Sequence, residues 1–115
     1  MQEKSTSGSN QPTVRALETR IARTKAAIAA LGDMRPGHLS VQMRPSGRGR
    51  RPYTQLSYTF QKKGHTDYIR PEDLPRVKAE VAAYRKFKNL CERLVALSIE
   101  LSKLKSAPRS APPQS

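Results

Sequence analysis

The chain is 115 residues long, with 36% hydrophobic and 5% aromatic residues and no tryptophan. That is too little for a deep globular interior, so helix-on-helix contacts are expected to supply much of the burial. Twenty-two Lys and Arg stand against nine Asp and Glu, a formal net charge of +13. An excess of that size needs anions. Nucleic-acid phosphate comes first, with anionic membrane, acidic protein and a merely soluble basic surface as competing readings.

Residues 1–11 are rich in Ser, Gly, Asn and Gln, and residues 106–115 carry three prolines; both read as disordered tails around a single domain at 12–105. From Pro12 the apolar residues Val14, Leu17, Ile21, Ile28 and Leu31 recur at three, four, seven and three, and four alanines raise helix propensity. A first amphipathic helix is expected here, with Asn10 or Gln11 at its start and Gly32 as its left-handed C-terminal cap.

The period then drops to two. Leu39, Val41 and Met43 alternate with polar residues, as do Leu56, Tyr58 and Phe60, which predicts two half-buried strands. Gln61-Lys62-Lys63-Gly64 reads as a hairpin loop with Gly64 at positive φ, returning antiparallel over Thr66 to Arg70.

A second helix is expected from Pro71-Glu72-Asp73-Leu74-Pro75 to about Lys105, since acids and an early proline suit a helix N-terminus. Phe87, Leu90, Leu94, Leu97, Leu101 and Leu104 form a seam at heptad spacing, beside a stripe of Val77, Val81 and Tyr84. That seam packs either on the first helix of the same chain or on another chain, as a homodimer or with a protein partner. The expected fold class is α+β: two long antiparallel helices, a helical hairpin or coiled coil, joined by a small three-stranded antiparallel sheet.

The positive charge is uneven. Met34 to Arg70 holds eight Lys or Arg against the single Asp67. Within it, Arg44-Pro45-Ser46-Gly47-Arg48-Gly49-Arg50-Arg51-Pro52 contains four arginines and no acid, and is expected to be a loop joining two strands. Guanidinium forks suit phosphate oxygens, and Gly47 and Gly49 let the backbone come close. An extended Arg-Gly-Arg also fits a narrow A·T-rich minor groove. Arg44, Arg48, Gly49, Arg50 and Arg51 are the principal nucleic-acid candidates.

Tyr53 is the better stacking candidate, because Tyr58 shares its parity with Leu56 and Phe60 and reads as core. A platform of Tyr53, Tyr58 and Tyr68 for RNA is therefore the weaker version of nucleic-acid binding. Lys62 and Lys63 at the hairpin tip, and Lys78 and Arg85 on the second helix, are further phosphate candidates.

Cys91 is the only cysteine, so no intramolecular disulfide is expected and a reducing compartment fits. No stretch approaches the ~20 apolar residues of a membrane span, and no apolar signal-like run follows Met1. The expected location is cytoplasmic or nucleoid-associated. His38, His65 and the scattered acids have no catalytic or metal-ligand spacing, so neither an enzyme nor a metal or other cofactor is expected.

Arg48-Gly49-Arg50-Arg51-Pro52 resembles the AT-hook core and the equivalent loop of nucleoid-structuring proteins of the H-NS type, with proline one residue later than an AT-hook places it. A wider resemblance runs through Pro36-Gly37-His38-Leu39-Ser40, Pro52-Tyr53-Thr54-Gln55-Leu56-Ser57-Tyr58, Lys63-Gly64-His65-Thr66, Tyr68-Ile69-Arg70-Pro71 and Tyr84-Arg85-Lys86-Phe87. It is to a family of small uncharacterised bacterial proteins, many linked to mobile elements. Members commonly carry a cysteine knuckle, which implies metal binding, before the Pro-Tyr element. Here the Arg-rich segment stands in its place, so no metal is carried over. The functional expectation is a non-enzymatic nucleic-acid-binding protein, duplex DNA ahead of RNA, with a possible A·T preference. The alternatives are a coiled-coil module docking a transposase, recombinase or other partner, and an RNA-binding accessory protein.

Overall fold

The computed structural model describes residues 12–106; both expected tails, and the caps Asn10 and Gln11, lie outside the described residues apart from Ser106. The order is α1 (Val14–Ala29), β1 (His38–Ser46), β2 (Gly49–Phe60), β3 (Lys63–Ile69), a 3-10 turn at Pro71–Asp73, and α2 (Leu74–Ser106). The layout is α+β, with one three-stranded antiparallel sheet in the order β1-β2-β3. No helix among the described residues is long and apolar enough to cross a membrane.

Contacts gather in two compact units. One comprises the chain up to Ala30 with the chain from Asn89 onward, and the other is Leu31–Lys88.

In the first unit, α1 starts at Thr13, whose hydroxyl accepts the Ala16 N–H at 3.0 Å. Thr13 rather than the residues before Pro12 therefore caps the helix. The far end also differs from expectation. Ala30 is the C-cap in right-handed conformation, its N–H donating to the Ala26 carbonyl at 3.0 Å, and Gly32 is not among the residues at positive φ, so the helix ends without a left-handed glycine cap.

Leu17 and Thr24 are buried on α1, as is Leu97 on α2. Thr24 fills the seven-residue gap in the α1 stripe, so Val14, Leu17, Ile21, Thr24, Ile28 and Leu31 form an unbroken three-four repeat. Its hydroxyl donates to its own helix at the Arg20 carbonyl, 2.8 Å away. A satisfied hydroxyl can take a seam position that hydropathy leaves empty. Among the other seam residues, Phe87, Leu90, Leu94, Leu101 and Leu104 are half-buried. Lys105 pairs with Glu18 at 3.7 Å.

In the second unit, Leu56, Ile69, Val77 and Val81 make the core, with Leu39, Tyr58 and Leu74 packed on it. The early α2 residues Leu74, Val77 and Val81, spaced three and four, lie on one sheet face. Each fully buried aliphatic side chain contributes about 1.5–3 kcal/mol. Gly37 has φ +136, and a Cβ there would stand 2.6 Å from Leu56 Cδ1. Only glycine lets the chain enter β1 so close to the core.

The segment before β1 is tied down by Arg35. Its backbone N–H donates to the Glu80 carbonyl at 3.1 Å, and its guanidinium donates to Asp67 at 2.6 Å.

Both hairpin turns are tighter than expected. The β2–β3 connection is Gln61-Lys62, both at positive φ (54° and 69°), the signature of a type I′ turn whose twist matches the flanking strands. Gly64 lies inside β3. At the other end Gly47 and Arg48 form the whole connection between β1 and β2, and only Gly47 is at positive φ (+57), as in a type II′ turn.

The Arg-rich segment is consequently no loop. Arg44 pairs with Arg51, Pro45 with Arg50 and Ser46 with Gly49, so both strands continue to the turn. Prolines are tolerated because β1 is an edge strand and because β2 has lost its β3 neighbour by Pro52, two residues past the last β2–β3 pair at Thr54↔Ile69.

Candidate nucleic-acid interface

The register makes the distal part of the β1–β2 hairpin a two-stranded arm. From Val41 to Pro52 every residue is exposed, and β3 pairs with β2 only from Thr54 onward. The arm carries Arg44, Arg48, Arg50 and Arg51, with Gly49 just after the turn. Arg50 donates to the Met43 carbonyl at 3.4 Å, a long bond that holds the side chain loosely along the ribbon.

Alternation along paired strands sorts the arm's side chains onto two faces. Val41, Met43, Pro45 and Pro52 share the parity of the core-facing Leu39 and Leu56, while Arg44, Arg51 and Tyr53 share the opposite face. Beyond the end of the helix-covered core, Val41 and Met43 are exposed at 61% and 48%.

The face away from the core is polar along the sheet and carries a stack. The Arg44 guanidinium lies 4.1 Å from the Tyr53 ring centroid, and the Tyr53 and Tyr68 rings stack at 4.9 Å with 10° between their planes. Strand order places Arg44 and Tyr68 on opposite sides of Tyr53. Cation–π and ring–ring contacts each contribute about 0.5–1.5 kcal/mol, so the three side chains hold one another in place. An open pocket of about 480 Å³ adjoins them, lined among others by Arg44, Arg51, Tyr53, Tyr68 and Pro71.

Tyr58, on the core side, packs against the core and stacks on His65 at 4.8 Å. The parity argument thus places Tyr58 correctly but overlooks Tyr68. The missed signal was alternation within Lys63–Ile69: buried Ile69 fixes Tyr68 on the opposite face.

Not all candidate residues come together. Lys62 and Lys63 sit at the Phe60 end of β2, roughly 37 Å along the strand from Gly49 at ~3.4 Å per residue. They are too far from Arg48 to share one anion with it. Lys78 and Arg85 are exposed on α2, and no hydrogen bond or ion pair among the described residues ties them to the arm.

Three arginines of the sheet unit outside the arm are ion-paired. Arg35 pairs with Asp67, Arg70 with Asp73 and Glu72, and Arg76 with Glu80 and Asp73. The hydrogen bond to Asp73 holds the Arg70 guanidinium above the ordinary arginine value, with Asp73 and Glu72 charges adding to it. A hydrogen bond to Glu80 does the same for Arg76. Among the described residues none of the four arm arginines pairs with a carboxylate. Among the described residues, then, their charge is left for an external anion.

Comparison with protein-family models, curated proteins and solved structures returns no match.

Proposed function

We propose that this chain is a non-enzymatic nucleic-acid-binding protein that grips duplex DNA through the β1–β2 arm, with RNA as the second polymer. The observation that carries the reading is the set of four arginines on an exposed two-stranded ribbon, with no carboxylate among the described residues paired to them. Guanidinium forks along such a ribbon anchor it to phosphate oxygens on either side of a groove. An A·T preference would come through Arg48 at the turn rather than through a free Arg-Gly-Arg strand, because Gly49 and Arg50 are already paired to β1. The family resemblance makes a mobile-element accessory, in the cytoplasm or on the nucleoid, the proposed setting.

Salt dependence tests the reading directly. Each phosphate contact on B-DNA contributes about 0.9 to the slope of log affinity against log salt, so replacing Arg48, Arg50 and Arg51 by Ala together is expected to flatten it by about 2.7. All three are exposed, so the fold should survive, as circular dichroism would verify. A slope unchanged in the triple variant would remove the arm from the interface.

A second reading has its own observation. Val95 and Ile99 on α2 are exposed at 56% and 51%, beside the half-buried leucine seam. In this reading the two helices form an antiparallel hairpin, supported by buried Leu17 and Leu97 and by the Glu18 to Lys105 pair. The remaining apolar strip then receives a second copy or a protein partner. Two exposed aliphatics are ordinary on a protein surface, so nucleic-acid binding is the leading reading.

A further inference from the structure

We infer that the sheet face beside the arm is a site for an unpaired nucleic-acid base, received on Tyr68 at the end of the Arg44–Tyr53–Tyr68 stack. The inference rests on the nucleic-acid reading and specifies what that nucleic acid must offer.

A sheet face left to water needs no aromatic side chains, and this one carries two, on adjacent strands, with parallel rings. Tyr53 is the middle tier, its ring flanked by Arg44 and Tyr68. Tyr68 is the outer tier and is 52% exposed. A base laid on its outer ring face would continue the stack by one tier, much as successive bases stack on sheet-borne aromatics in single-strand binders.

The pocket beside it, about 480 Å³, falls in the range of small-ligand sites. Its lining suits a nucleotide. Pro71 offers an apolar edge to the base, while Arg44 and Arg51, beyond Tyr53 and unpaired with any carboxylate among the described residues, offer donors to a phosphate further along the strand. Bases inside a duplex present no free face, so the site requires a strand that is frayed, overhanging or extruded. The arm, which shares β2 with this site, would hold the neighbouring duplex.

The test uses the full chain and three DNA probes at low salt: a blunt duplex, the same duplex with a short overhang carrying 2-aminopurine, and the overhang strand alone. Stacking is worth about 1–3 kcal/mol per base, which corresponds to about 5- to 150-fold. Wild type is therefore expected to bind the overhang duplex tighter than the blunt one by a factor in that range, with a change in 2-aminopurine emission on binding. Tyr68→Leu should lose the excess affinity of the overhang duplex over the blunt one and the emission change, and Tyr68→Phe should keep both. If the blunt duplex binds and the overhang adds nothing, the base site is wrong while the nucleic-acid reading stands. If no probe binds, both fall.

Discussion

Gly37 shows how one residue fixes the entry to the sheet. Its φ of +136 and the 2.6 Å that would separate an added Cβ from Leu56 Cδ1 impose two independent costs on any side chain: backbone strain and a clash with the most buried core position of β2. Gly37→Ala is therefore expected to lower stability by at least about 2 kcal/mol in denaturant unfolding. A loss below about 0.5 kcal/mol would mean that Leu56 moves aside freely. Gly32 and Gly49 make the contrast, because an added Cβ there meets nothing within 4 Å. The sequence offers no way to tell these glycines apart, since φ and neighbours appear only once β1 and β2 are in register. Tyr53 and Tyr68 are a similar case. Their faces follow from alternation, but their stacking follows from the pairing of Gln55 with Tyr68.

At the scale of elements, the helices and the three strands are legible because apolar period is a strong signal. Leu56, Tyr58 and Phe60 in alternation, and the three-four repeat on α2, point to the elements observed. The arm is not legible in the same way. Pro45, Gly47, Gly49 and Pro52 all depress strand propensity, and they read as a loop unless it is known that the flanking strand positions have no third neighbour. That absence gives the arm a distinctive energetic position, since none of the residues from Val41 to Pro52 is buried. Gly47→Val introduces a β-branched residue at φ +57, a cost of about 1–3 kcal/mol. Local opening of the arm should absorb that cost. The expected result is loss of amide protection in the arm and weaker nucleic-acid binding with the denaturation midpoint almost unmoved, while Gly47→Asn, tolerant of left-handed φ, retains both. A large fall in midpoint for the valine variant would show that the arm belongs to the cooperative core.

For the whole molecule, charge and cohesion are distributed differently. The sheet unit, Leu31–Lys88, holds thirteen Lys and Arg against five acids, +8 of the +13, and the helix unit holds the rest. Each unit also has its own buried set: Leu56, Ile69, Val77, Glu80 and Val81 in one, Leu17, Thr24 and Leu97 in the other. Neither set is large, so each unit should open with a free energy of its own, and a cavity made in one should be felt there first. Leu17→Ala is expected to cost about 2–5 kcal/mol and to strip hydrogen-exchange protection from Val14–Ala29 while β2 and β3 keep theirs. Leu56→Ala should do the reverse, exposing β2 and β3 and leaving α1 protected. Because the arm belongs to the sheet unit, only the second substitution should also weaken binding to duplex DNA. Hydrogen exchange read by mass spectrometry, run beside a binding titration on the same two variants, decides the matter. Equal loss of protection in both units from either substitution would make the chain one cooperative fold, and loss of DNA binding in Leu17→Ala would place the helix unit in the interface.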